Sequence, residues 1–189
     1  MRAPARFFTA CGVSLLVAVA VVGAVVVTAC RAGPHAAGIT RAQADEIVRA
    51  HNAWRLRVGV PTLRWAADLA AGAQARAAYL AAHGCVIEHG LLPIDVGENL
   101  YHVGPLQAEG RKDELFIVSV TRIVDTWGAE SADYSPVRDT CAWNRQCGHY
   151  TQIVWTTTKE VGCGMSVCST LGQVWVCNYR PKGNIRILR

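Results

Sequence analysis

The sequence predicts an α+β fold in which the helices precede the main strands. Three segments between residues 40 and 130 show helical periodicity or an excess of helix-forming alanine. Three shorter segments between residues 148 and 179 alternate in the manner of strands. This order of segments, with helices first and strands last, indicates a single mixed domain.

The first helix is predicted to begin after Thr40, a residue type that commonly caps a helix N-terminus. The apolar face of this helix is formed by residues at positions i, i+4, i+7 and i+11, namely Ile47, His51, Trp54 and Val58. Gly59 and Pro61 end the helix, because glycine suits a C-terminal cap and proline cannot continue the hydrogen-bond ladder.

Two further helices are predicted, with a loop between them. An alanine-rich helix runs from about residue 65 to 82 and stops near Gly84, and its small side chains suit close packing on a sheet. Residues 86–105 are rich in glycine and proline and are predicted to be a loop. A third helix over residues 112–130 has one stripe that comprises Phe116, Val120, Ile123, Trp127 and Glu130.

Strands are predicted over residues 148–156, 161–168 and 173–179, with Leu171 and Gly172 in the turn between the last two. In the first strand, His149 would share one face with Thr151, Ile153 and Trp155. A histidine at the head of such a strand is either a satisfied core residue or a ligand.

The N-terminal residues resemble an export signal. Arg2 and Arg6 precede an uncharged stretch over residues 7–29, and Val27-Thr28-Ala29-Cys30 resembles a bacterial lipobox, which makes Cys30 the predicted lipidation site. A soluble signal peptide cut near Ala29 or Ala32 and an uncleaved signal anchor are the alternatives. We therefore expect a leader at 1–29, a linker at 30–38 and an extracytoplasmic domain at 39–189, with membrane attachment through the leader or a lipid.

The charge balance argues against nucleic-acid binding. The formal net charge is +5, and it falls to +3 without Arg2 and Arg6 of the leader. No cluster of lysine and arginine marks a polyanion-binding surface. We expect no nucleic-acid partner and a monomeric protein.

Six cysteines remain in the domain once Cys11 and Cys30 are set aside from the total of eight. An even number in an exported domain predicts three disulfides, for which 15 pairings exist. Cys163 and Cys168 would face opposite sides of one strand and need different partners. Cys141 and Cys147 enclose a short loop and are the simplest pair to close.

Four motifs carry a resemblance to a known family. They are His51-Asn52-Ala53-Trp54-Arg55, Gly97-Glu98-Asn99-Leu100-Tyr101, the segment from Gly148 to Trp155, and the segment from Val176 to Ile185. In this order they resemble the CAP superfamily of cysteine-rich secretory, antigen 5 and pathogenesis-related 1 proteins, and most of all its single-domain members. The resemblance covers residues 39–185. It implies a three-layer α-β-α sandwich with disulfides Cys85–Cys168, Cys141–Cys147 and Cys163–Cys177.

The resemblance also implies a central cleft lined by two histidines and two glutamates, here His51, Glu98, Glu130 and His149. The histidines can ligate zinc or another divalent cation, with the glutamates acting through water or behind the histidines. The alternative is a structural hydrogen-bond network, because buried ionisable groups need partners. His83, His89 and His102 are expected to be solvent-facing or structural, and no metal is required for folding.

The sequence favours a binding module over an enzyme. It contains neither a His-Glu-x-x-His metalloprotease motif nor a Gly-x-Ser-x-Gly nucleophile motif, and the six domain cysteines are expected to be oxidised. A metal-dependent hydrolase or protease that uses the same cleft is the alternative. The resemblance further implies sterol or fatty-acid binding, although the short polar segment 156–160 argues against a large flexible lipid-binding loop.

Overall fold

The structure, a computed structural model, describes residues 38–107 and 113–185. The predicted leader, the lipidation site at Cys30 and residues 30–37 of the predicted linker lie outside these residues. Within the described ranges, no helix is both long enough and apolar enough to cross a membrane.

Four helices and six strands make up the described domain. The helices are α1 (Arg41–Arg57), α2 (Ala67–Ala82), α3 (Val120–Gly128) and α4 (Gly148–Ile153). The strands are β1 (Arg64–Trp65), β2 (Gly97–Val103), β3 (Tyr134–Ser135), β4 (Thr140–Cys141), β5 (Glu160–Val167) and β6 (Gln173–Arg180). A short 3-10 helix, Ala129–Asp133, follows α3 directly.

The main sheet has the strand order β1-β5-β6-β2. β5 and β6 form an antiparallel hairpin, β2 pairs antiparallel with β6, and β1 pairs parallel with β5. Strand β2 is therefore an edge strand of this sheet, and Asn99 near its start contacts helix α4.

Helix α2 packs on one face of the sheet at very short range. A Cβ atom added to Gly162 would lie 2.2 Å from the backbone nitrogen of Ala70, and one added to Gly164 would lie 2.3 Å from the backbone of Gln74. Only glycine leaves room for this approach. The core between α2 and the sheet consists of small and medium-sized apolar residues, which include Ala73, Ala77, Leu80, Leu100, Val174 and Val176.

Helices α1 and α3 cover the opposite face. The core on this side is larger and contains Ile47, Ile123, Trp127, Val161, Trp175 and Tyr179. Because side chains alternate along β6, Val174 and Val176 point to α2 while Trp175 and Tyr179 point to α1 and α3. The predicted three-layer α-β-α sandwich is confirmed.

The predictions for the first two helices and the last two strands are confirmed. Thr40 caps α1 through a capping box in which its hydroxyl accepts from the Gln43 amide and the Gln43 side chain accepts from the Thr40 amide. Gly59 and Gly84, at φ +70° and +82°, follow α1 and α2 at the predicted stops.

Three predicted elements differ from the structure. Residues 148–153 form helix α4 rather than a strand, because Glu130 accepts hydrogen bonds from backbone N–H groups in its first turn. The predicted loop 86–105 contains β2, which gains a full ladder with β6. Helix α3 starts at Val120 instead of residue 112, where the Ser119 hydroxyl accepts from the Arg122 amide.

The three predicted disulfides are all present. Cys85–Cys168 joins the end of α2 to the end of β5, Cys141–Cys147 closes the loop before α4, and Cys163–Cys177 joins directly paired positions of β5 and β6. These bonds fit a protein that folds in an oxidising compartment outside the cytoplasm.

Candidate functional site

A cleft of about 330 Å³ opens between the edge strand β2 and helix α4. Its walls carry two histidines, a buried glutamate and several neutral polar groups. The lining residues are His89, Glu98, Asn99, Gln146, Gly148, His149 and Asn184.

One wall of the cleft holds a histidine–glutamate pair from the loop before β2 and the start of β2. The Nδ1 atom of His89 lies 3.0 Å from Oε1 of Glu98, which also accepts from the Gly90 amide at 3.4 Å. The Glu98 side chain is only 1 % exposed, whereas that of His89 is 68 % exposed. The buried carboxylate therefore holds a ring whose remaining edge is open to solvent.

The buried carboxylate of Glu98 is incompletely satisfied. Its Oε2 atom has no hydrogen-bond partner in the described part of the chain, and the nearest cationic atom is Nε of Arg76 at 4.0 Å. This distance is too long for a direct hydrogen bond but suits one bridging water.

The opposite wall holds a second pair, formed by His149 and Glu130. The Nδ1 atom of His149 lies 2.6 Å from Oε1 of Glu130, and Oε2 accepts from the backbone amides of His149 and Tyr150 at 3.0 and 3.1 Å. The His149 ring also stacks on Trp127, with ring centroids 6.0 Å apart. One carboxylate thus fixes both the ring and the first turn of α4.

Amide side chains hold the two walls together. Asn99, next to Glu98 on β2, donates to the carbonyl of His149 at 3.1 Å and to the hydroxyl of Tyr179 at 3.2 Å. Asn184 donates to the carbonyl of Gly148 at 2.8 Å. These contacts set the position of α4 against the sheet edge.

His51, predicted to line the cleft, lies elsewhere, in the core between α1 and the sheet. It is 0 % exposed, and its Nδ1 and Nε2 atoms bond to the carbonyl of Ile47 at 2.8 Å and the hydroxyl of Tyr179 at 2.9 Å. Burial lowers the pKa of His51 from 6.5 to about 4, so the ring is neutral. The assignment of His51 to the cleft is therefore wrong.

His89 occupies the place that was assigned to His51. Neighbouring residues of β6 point to opposite faces of the sheet, so Tyr179, which contacts His51, and Asn178, which is paired with Glu98 on β2, lie on different faces. His51 and Glu98 are therefore on opposite sides of the sheet. Because its helix α1 packs its apolar stripe on the sheet, His51 is a core residue. The signal for His89 was present in the sequence, because Glu88-His89-Gly90 lies in a polar, glycine-containing loop shortly before Gly97-Glu98-Asn99.

The two pairs remain separate in this structure. In residues 38–107 and 113–185, no three His, Cys, Asp or Glu side chains lie close enough together to hold a metal ion. Each ring nevertheless has its Nδ1 edge bound to a carboxylate, an arrangement that orients the opposite Nε2 edge. The cleft therefore presents two oriented imidazoles on facing walls.

Comparison with known proteins decides the family. The model of the cysteine-rich secretory protein (CAP) family matches residues 48–179. The chain belongs to the CAP family. Pathogenesis-related protein 1A of Nicotiana tabacum is 39 % identical over 143 residues, which cover 75 % of this chain and 77 % of that protein. Pathogenesis-related protein 1 of Arabidopsis thaliana is 35 % identical over 179 residues, or 94 % of each chain.

Solved structures agree with this CAP assignment at the level of the fold. The crystal structure of NaASP2 with Zn²⁺ aligns with a TM-score of 0.61 and 20 % identity, over 78 % of this chain and 83 % of that one. The venom allergen-like protein 4 of Schistosoma mansoni aligns with a TM-score of 0.57 and 23 % identity, over 75 % and 90 % of the two chains.

Proposed function

We propose that this CAP protein is an extracytoplasmic, non-enzymatic binding module whose cleft takes up a divalent cation, with zinc as the best fit. The observation that carries the proposal is the pair of carboxylate-bound histidines, His89 with Glu98 and His149 with Glu130, on facing walls of one cleft. His89 and His149 would hold the ion, and the glutamates would hold the rings.

The donor chemistry of the cleft suits zinc. Neutral imidazole is among the preferred ligands of zinc, and water completes the coordination where protein ligands are few. In the described part of the chain neither Nε2 atom has a protein hydrogen-bond partner, so both are available to a cation. The structural neighbour solved with Zn²⁺ supports this choice of ion.

The geometry favours binding over turnover. A hydrolytic site needs a base that is free to take a proton from water. The Glu130 carboxylate is occupied by a ring and two backbone amides, and the free oxygen of Glu98 is buried beside Arg76. Metal-dependent hydrolysis in this cleft is therefore the second candidate and an outcome of the test.

Calorimetric titration of the metal-free protein with zinc tests the proposal. We expect one site that is lost in His89→Ala and in His149→Ala while the fold is retained. The matched control is His102→Ala, which removes an exposed histidine of β2 outside the cleft and should leave the titration unchanged. Affinity should fall in acid, because protons compete with the metal for imidazole.

Three results would contradict the proposal. Absence of zinc uptake near neutral pH would leave the cleft as a structural network. Uptake that survives both histidine substitutions would place the metal elsewhere. Zinc-dependent cleavage of peptides or esters that is lost in Glu98→Gln would identify the protein as a hydrolase. Sterol or fatty-acid binding, membrane attachment and the monomeric state stay predictions.

A further inference from the structure

The loop that carries His89, residues 86–92, depends on two side chains for its hydrogen bonds. In the described part of the chain its backbone N–H and C=O groups make no hydrogen bond to another backbone group. Arg76 of α2 and Glu98 of β2 bond to the loop instead, each through its side chain. A loop with so few hydrogen bonds opens easily, so the position of His89 depends on these two contacts.

Arg76 contacts the loop backbone on both sides of His89. Its Nη2 atom donates to the carbonyl of Glu88 at 2.5 Å, one residue before the histidine. Its guanidinium also lies against Gly90, one residue after, since a Cβ atom added there would be 3.0 Å from Nε and 3.2 Å from Cζ. The carboxylate of Glu88 is 4.0 Å away and largely exposed, so the close contact is with the main chain. Arg76 therefore holds the backbone that flanks the histidine.

The same guanidinium faces the carboxylate that binds the His89 ring. Nε of Arg76 and Oε2 of Glu98 are 4.0 Å apart, and both are buried atoms without a hydrogen-bond partner in the described residues. Buried polar atoms without a partner are rare in native structures. One of these atoms is a donor and the other an acceptor, so each can satisfy the other through one water or after a shift of about 1 Å. Arg76 thus lies behind both supports of His89, the loop backbone and the carboxylate.

Arg76 itself is anchored on a rigid element. Its helical neighbours Ala73 and Ala77 are 0 % exposed and belong to the core between α2 and the sheet. The ring of Tyr79 lies 5.2 Å from the Cζ atom of Arg76, within the range of a cation–π contact. Because a helix holds a side chain more precisely than a loop does, α2 is the better fixed of the two elements and can set the position of the loop.

We propose that Arg76 is a positioning residue for cation binding: it holds the loop and the Glu98 carboxylate so that the His89 ring faces His149, and it does not touch the ion itself. The inference rests on the proposed function, in which His89 is one of the two ligands. Positioning and charge have opposite effects at this site. A positive charge at Arg76 repels a cation in the cleft, so electrostatics alone predict tighter zinc binding when the arginine is replaced by a neutral residue. Positioning predicts weaker binding.

Calorimetric titration of the metal-free Arg76→Met protein with zinc tests the inference. Methionine is also unbranched but cannot donate to the Glu88 carbonyl. We expect the affinity to be at least about tenfold weaker than in the wild type, which is the usual cost of losing a group that orients a metal ligand. Arg76→Lys keeps the charge and a donor for the carbonyl but loses the planar fork, and it should bind zinc with an intermediate affinity.

The matched control for these variants is Ala78→Gly, at an exposed position of the same helix. Glycine weakens α2 without removing any contact of Arg76 with the loop. Its zinc affinity should stay within about twofold of the wild type. A loss as large as that in Arg76→Met would reduce the role of Arg76 to the stability of α2 and overturn the inference.

A second measurement does not depend on the metal. In the metal-free protein, the NMR backbone order parameters of Glu88, His89 and Gly90 should be about 0.85 in the wild type and in Ala78→Gly, and should fall below about 0.6 in Arg76→Met. Order parameters that do not fall, or zinc binding that is equal or tighter in Arg76→Met, would overturn the inference and leave the proposed function standing. Absence of zinc uptake by the wild type would overturn the proposed function instead, and the order parameters would still show whether Arg76 holds the loop.

Discussion

His51 and Arg55 lie one turn apart on the buried face of α1, and neither is exposed to solvent. They are the two ionisable groups that α1 contributes to the interior, and each is satisfied in a different way. His51 is neutral and bonds to a carbonyl and a hydroxyl, whereas Arg55 is a cation surrounded by backbone carbonyls. Both serve the fold, and their effects are predictable from their partners.

The buried His51 should make the protein sensitive to acid. Burial lowers its folded-state pKa from 6.5 to about 4, so the unfolded chain binds the additional proton between these values. Stability is therefore fully present above about pH 6.5 and is lost as the pH falls toward 4, by at most about 1.4 kcal/mol per pH unit. Urea unfolding at several pH values in this window gives the free energy of unfolding as a function of pH. This free energy should change less steeply with pH in His51→Gln than in the wild type. The exposed His83→Gln serves as control, and an unchanged slope in His51→Gln would contradict the assignment.

Arg55 should tolerate no replacement, not even by lysine. Its guanidinium donates to the carbonyls of Pro61, Ile153, Trp155 and Thr158 at 2.5 to 3.0 Å. An ammonium group cannot reach four acceptors arranged around a planar fork. We expect Arg55→Lys to lower the free energy of unfolding by about 3 kcal/mol. Arg49→Lys, on the exposed face of α1, should cost less than about 0.5 kcal/mol, and similar losses in the two variants would refute the argument.

At the scale of elements, α4 shows how local pattern and tertiary contacts compete. The residues from Gly148 to Trp155 alternate well enough to predict a strand, yet the six residues Gly148–Ile153 form a helix of less than two turns. Such a short helix is unstable on its own. It forms because the Cys141–Cys147 bond fixes the preceding loop and the Glu130 carboxylate accepts the first amides. Neither partner can be inferred from periodicity.

Glu130 should therefore matter for stability as well as for the cleft. A glutamine at this position has one acceptor oxygen in place of two and no charge for the helix N-terminus. We expect Glu130→Gln to lower the free energy of unfolding by about 1–2 kcal/mol. Glu88→Gln, a largely exposed position, should cost less than about 0.5 kcal/mol. Urea unfolding of both variants measures the difference, and equal losses would remove α4 capping as the role of Glu130.

Elements whose own residues encode them were predictable. The capping box at Thr40, the glycine stops after α1 and α2, and the β5–β6 hairpin all depend on short-range sequence. Strand β2 depends on a distant partner strand and the start of α3 on a single cap, and both differ from the prediction. The cleft shows the same limit. Glu98 and His149 line it and Glu130 supports it, as predicted, but the histidine opposite His149 is His89 and not His51. The sequence does not state which face of the sheet each helix covers, so the two histidines could not be distinguished.

For the molecule as a whole, the three disulfides differ in the length of chain they enclose. Cys85–Cys168 spans 83 residues, whereas Cys141–Cys147 spans six. The chain-entropy relation gives about 4.5 kcal/mol for the long loop and about 2 kcal/mol for the short one. Replacing both cysteines of the long loop by alanine should therefore lower the free energy of unfolding more than replacing those of the short loop. Guanidinium unfolding tests this order, and the reverse order would show that loop entropy does not determine what these disulfides contribute to stability.

Each histidine of the cleft receives its carboxylate from its own stretch of chain: His89 and Glu98 belong to the segment that enters β2, and Glu130 and His149 to the segments that follow α3. The two histidine–glutamate pairs of the cleft can thus be altered one at a time. In double-mutant cycles of the free energy of unfolding without metal, His89→Ala and Glu98→Gln should couple strongly, whereas His89→Ala and Glu130→Gln should be additive within about 0.5 kcal/mol. Saturating zinc should create coupling between the two pairs, and strong coupling already present without metal would show that they act as one unit.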